Sequence, residues 1–120
     1  MGPRELARWQ WEGYPLYHGD RANLCIHILL VPIFPAGNIA LVIGIALLSW
    51  ILAAVGLAAM ILSFAAQGYG HGRERNPAIP FAGPANALAR IFLEQWFTFP
   101  RYVFSGGWYR ALRGWKTPEK

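Results

Sequence analysis

At 120 residues the chain has room for one domain; its apolar share is 55% and its charged share 14%, against about 45–50% and about 25% in an average soluble domain. The net charge of +5 sits wholly in the flanks, because no Asp, Glu, Lys or Arg stands between Arg21 and Arg73. A lone Cys25 excludes an internal disulfide framework, and basic flanks interleaved with Trp and Tyr point to lipid headgroups, not nucleic acid.

Residues 1–20 are polar and aromatic. They predict an interfacial segment with a short helix over 3–11, ended by Gly13 and Pro15. No cleavable signal peptide is expected, since the first apolar run begins late, is too long and lacks a small-residue cleavage site. Asp20 is placed to cap the next helix.

A transmembrane hairpin is expected over 21–69, because the stretch between Arg21 and Arg73 is long enough for two crossings of about 20 residues each. Two breaks compete. A turn at Pro35–Gly37 leaves a first helix too short to cross. A turn near Ser49 gives two antiparallel spans, 22–48 and 50–69, the first kinked at Pro32 and Pro35, which membrane helices tolerate when neighbours satisfy the freed carbonyls. The second is adopted. The expected fold is all-α: a membrane helical hairpin, then a polar site loop over 70–83, then amphipathic interfacial helices and a basic tail over 84–120. In that last segment Leu88, Ile91, Phe92, Gln95 and Trp96 share a helical face, with Arg90 and Glu94 on another and Pro100 ending or kinking the helix. Basic flanks on both sides place both termini in the cytoplasm, in a bacterial inner membrane more readily than an organelle.

The three histidines are His18, His27 and His71. Nine residues on one helix is about 900° of rotation, so His18 meets His27 only from outside that helix. Folding near Ser49 brings His27 and His71 to one membrane surface with His18 beside them and Glu74 three residues past His71. Neutral imidazoles suit iron, zinc, copper or nickel, and an added carboxylate favours non-haem iron. The plainer alternative makes His18 and His71 interfacial polar groups and His27 a helix–helix hydrogen-bonding residue. Arg21, Arg73 and Arg75 read either as collar charges or as a clamp for an acidic lipid head. Asn23 shares a helix face with His27, and Tyr17 beside His18 is within reach of a ligand. No Ser lies in a nucleophile elbow, which disfavours a hydrolase.

The stretches YHGDRANLCIH (17–27), followed by Pro32, and GHGRERNPAIPF (70–81) resemble a family of small membrane proteins. Its fungal members are iron-dependent 2-hydroxy fatty acid dioxygenases of α-oxidation. The matching positions are His18, Asn23, His27, Gly70, His71, Glu74, Pro77 and Ala78. The resemblance implies Fe2+ held by His18, His27 and His71, with Glu74 as fourth ligand or orienter. It also implies O2-dependent removal of one carbon from a 2-hydroxy fatty acid, releasing CO2 and an aldehyde or shortened acid. Arg73 or Arg75 would steady the carboxylate, and Asn23 would bond a ligand or His27. The rival expectation is a non-enzymatic lipid-binding or assembly protein whose polar cluster only caps the spans.

Overall fold

A computed structural model describes residues 1–114, which are helices and short connections with no strand among them. The basic tail positions Trp115, Lys116 and Lys120 lie outside the described residues. The helices are α1 (Pro3–Tyr17), α2 (Arg21–Leu30), α3 (Ile33–Ala46), α4 (Trp50–His71), α5 (Pro84–Leu93), α6 (Phe99–Phe104) and α7 (Gly107–Leu112), with a π-helical turn, Glu94–Thr98, between α5 and α6.

α1 runs further than the expected 3–11 and passes through Gly13 and Pro15. Pro15 removes one hydrogen bond in the last turn only. Tyr14 is buried with Leu24, Val31, Phe99, Tyr102 and Ala111 in the core, with Trp11 packed on it, and that packing holds the extra turn. Asp20 caps α2 as expected, its carboxylate accepting from the Asn23 amide at 3.0 Å.

Val31 and Pro32 separate α2 from α3. The Phe34 amide turns back to the Val31 carbonyl, leaving the Leu30 carbonyl without its helical donor. The Ser63 hydroxyl on α4 donates to it. α3 ends at Leu47, Leu48 takes a left-handed φ of 55°, and Ser49 caps α4 by accepting from the Leu52 amide. α4 then runs back along α3 and α2. Glycines set how closely they pack: a Cβ on Gly56 would stand 2.6 Å from the Leu41 nitrogen, and one on Gly44 would strike the Ala53 backbone. Arg21–Ala46 and Trp50–His71 are each long and apolar enough to cross a membrane by length and composition.

The C-terminal helices do not lie apart from this pair. Phe99, Tyr102 and Ala111 enter the core with α1 and α2, and the Trp108 indole donates to the Leu24 carbonyl at 2.8 Å. Pro100 neither ends nor interrupts the helix. It has no N–H to donate, and the ladder widens just before it, the Phe99 amide reaching back five residues to the Glu94 carbonyl. The faces of this segment are reversed from a soluble helix. Glu94 and Gln95 turn inward, whereas Leu88, Phe92, Trp96 and Phe97 are exposed.

Candidate metal centre

His18, His27 and His71 meet in one place. Their ring centroids form a near-equilateral triangle of 4.7, 4.8 and 4.9 Å, each pair of rings close to perpendicular. The fourth member is Glu94, and one ligand atom from each residue lies within 4.8 Å of every other. His18 sits just past the end of α1, His27 on α2, His71 at the end of α4 and Glu94 at the start of the π-helical turn.

Backbone carbonyls fix two of the rings. His18 Nδ1 lies 2.8 Å from the Tyr14 carbonyl, and His27 Nδ1 lies 3.0 Å from the Asn23 carbonyl. A carbonyl only accepts, so Nδ1 donates in each, and the neutral form of each ring presents its lone pair at Nε2. Both Nε2 atoms, and Nδ1 of His71, are buried without a hydrogen-bond partner. Glu94 Oε2 stands 3.3 Å from His18 Nε2 and 3.7 Å from His27 Nε2. These contacts are close but not aligned as hydrogen bonds. Four ligands about 2.1 Å from a common tetrahedral centre would be about 3.4 Å apart. The donor set and its spacing therefore fit a divalent first-row metal, and an orphaned buried nitrogen otherwise costs about 1–3 kcal/mol.

Glu94 is held as a carboxylate. Burial alone would raise its pKa, but the His18 and His27 rings, when they carry a proton, and the Tyr14 hydroxyl lower it. Tyr14 donates to Glu94 Oε2 at 2.8 Å and stacks on His18 at 3.7 Å. Burial and the Glu94 charge push the Tyr14 hydroxyl well above its usual range, so it keeps its proton. Around Glu94 the braces continue. The side-chain amides of Gln67 and Gln95 bond each other reciprocally, both at 2.8 Å. Gln10 on α1 donates to the Arg90 carbonyl at 2.9 Å and accepts from Thr98, spanning the π-helical turn.

Glu74, expected as the fourth ligand or an orienter, is not in this group. Its carboxylate accepts from the Gly19 amide at 2.9 Å, the Asp20 amide at 3.1 Å and the Asn23 side-chain amide at 2.6 Å. Glu74 thus pins the bend that presents His18. The cause is geometric: the chain turns after α4, so Glu74 leaves the face that carries His71. Asn23 meets the His27 ring through its backbone carbonyl and Glu74 through its side chain. Gly70 makes room for it, since a Cβ there would collide with Asn23 Oδ1.

A cavity of about 550 Å3 opens on the cluster, reaching His18, His71 and Glu94, with Tyr17 also in its wall. Arg73 and Arg75 line a different cavity, behind the Gly19–Asp20 bend, and Arg73 pairs with Asp20 at 3.3 Å. The arginine in the wall of the histidine cavity is Arg90. It donates to the Ile79 and Pro80 carbonyls at 2.8 and 3.1 Å and lies over the rings of Trp9 and Phe81 at 5.0 and 4.5 Å. Sequence reasoning missed Glu94 and Arg90 as site residues. One signal was present: Glu94 is the only carboxylate between Glu74 and Glu119, and it stands in an apolar run. An acid in an apolar run is a functional-site candidate.

No family model, curated protein or solved structure matches this chain. The functional reading accordingly rests on the site's geometry and on the motif resemblance of its two histidine segments.

Proposed function

We propose that this chain is a membrane-embedded, iron-dependent oxygenase that shortens 2-hydroxy fatty acids by one carbon. The observation that carries the reading is the convergence of three imidazoles and one carboxylate beside a largely apolar cavity that reaches His18, His71 and Glu94. Three neutral nitrogens and one carboxylate are an iron-type donor set, with room left for substrate. The membrane setting is supported by the reversal of faces, with His27, Asn23, Gln67 and Gln95 inside and Ile51, Val42, Leu62 and Phe97 outside.

His18, His27, His71 and Glu94 would hold the metal, which when bound supplies O2 activation and Lewis acidity toward a hydroxy acid. Tyr14 and the Nδ1 carbonyl bonds keep the donor atoms aimed and in the right protonation state. Arg90 takes the role first given to Arg73 or Arg75, offering its remaining N–H groups to the substrate carboxylate. The apolar walls exclude water around the reacting carbons. The net change balances with O2 alone. The bond between the carboxyl carbon and its neighbour breaks, and the carboxyl carbon leaves as CO2. The neighbour becomes the new carboxyl carbon. The four electrons it and the departing carbon give up pass to O2, whose atoms end in the new carboxyl and in one water.

The test is metal analysis of detergent-purified protein beside the triple variant His18→Ala, His27→Ala, His71→Ala, with turnover of 2-hydroxyhexadecanoate under O2. One iron per chain and a shortened acid in the parent, both lost in the variant, are the expected result. Equal metal content in the two proteins overturns the reading. The rival, a lipid-binding or assembly protein, is favoured by the large exposed apolar surface and predicts that the triple variant keeps full function.

A further inference from the structure

The cavity extends well past the metal ligands. Four residues of α4 line it: Phe64, Gln67, Gly68 and His71. Their spacing of three, four and seven places them on one helix face, so the cavity follows that face from His71 for about 10 Å to Phe64. Phe64 is 45% exposed, and it lies inside one of the two helices apolar enough to cross a membrane. The loop carrying Ile79, Pro80 and Phe81 lines it as well. One end of the cavity thus meets the polar cluster, and the other meets an exposed Phe64 within a helix apolar enough to cross a membrane.

Gly68 has no packing reason to be glycine. Cβ atoms at Gly37, Gly44, Gly56 and Gly70 would strike a neighbouring helix, but a Cβ at Gly68 meets nothing within 4 Å. Its backbone is ordinary helix with no positive φ. Glycine is disfavoured inside a helix, so what its presence provides here is empty space, one turn below His71.

Resting on the reading that this site takes a lipid acid, we propose that Gly68 and Phe64 form a lateral port through which a single acyl tail passes from the bilayer, with its carboxylate toward Arg90. Gly68 then determines specificity. It keeps open the slot that the first several methylenes occupy, and Phe64 sets where the tail leaves the protein for lipid. A cavity of this volume takes one chain and its head.

The experiment uses the full chain in detergent with Cys25→Ser, so that Gly68→Cys supplies the sole thiol. The rate of maleimide labelling is measured without addition, with hexadecanoate, and with hexadecyltrimethylammonium, which has the same tail and the opposite charge. Hexadecanoate is expected to slow labelling by about tenfold, since burying a few methylenes is enough for that factor. The cation and phosphatidylcholine are expected to leave the rate unchanged. Labelling at one rate in all samples, or equal protection by the cation or by phosphatidylcholine, overturns the port. In a second variant, Gly68→Phe, affinity for hexadecanoate is expected to fall by about tenfold while the metal content stays as in the parent. Unchanged affinity overturns the proposal. The outcomes separate the two readings, because metal-free parent protein that still shows protection sinks the oxygenase alone, and iron-bearing protein without protection sinks the port alone.

Discussion

Substituting Glu94 and Glu74 separately distinguishes two carboxylates that a motif alone confuses. Glu94→Gln removes a donor atom from the cluster and should lower metal affinity by well over the about 10–100-fold typical of outer-shell changes. Glu74→Ala should leave saturable metal stoichiometry intact. It should instead cost about 1.5–3 kcal/mol of stability, because the Gly19 and Asp20 amides lose a charged acceptor. Metal titration and thermal unfolding of both variants check this. Acid should release the metal by protonating imidazole nitrogens. Metal binding needs neutral imidazole nitrogens, so protons compete with the metal for them. Metal occupancy should therefore be full at neutral pH and fall on acidification. Occupancy that does not change on acidification would contradict imidazole ligation.

At the scale of elements, the proline break and the close helix crossings are where single substitutions act most directly. Ser63→Ala leaves the Leu30 carbonyl buried without a donor and removes a bond to Gln67. It should destabilise the fold by about 1–3 kcal/mol. Gly70→Ala should cost about as much by driving Asn23 off α4, and it should also weaken the metal, because the His27 ring hangs from the Asn23 carbonyl. Chemical unfolding in mixed micelles measures both, and wild-type midpoints would contradict the packing described. The π-helical turn is an element of the same kind. It arises where Pro100 withholds a donor, and the widened turn begins at Glu94 itself. Such single-turn bulges concentrate at functional sites.

Over the whole molecule, Ser63 and Gln67 on α4 and Gln95 in the π-helical turn are buried, while many large apolar side chains of α3, α4 and α5, among them Val42, Ile51, Leu62 and Leu88, are exposed. The chain should therefore sediment with membranes, resist extraction by alkaline carbonate and dissolve in mild detergent. Release by carbonate would show that the apolar surface is covered by protein. The sequence by itself determined the helical class, the charge-free middle, the Asp20 cap and the three histidines as a candidate cluster. Those features depend on composition and on spacing within one or two turns, which a linear reading carries. Only tertiary structure decided that Glu94 joins the cluster, that Glu74 buttresses the bend, and that Arg90 replaces Arg73 and Arg75 at the cavity. Those choices depend on where α5 and the π-helical turn dock on α1, and that docking is set by the core of Tyr14, Leu24, Phe99 and Tyr102, contacts between residues too far apart in sequence for periodicity to record.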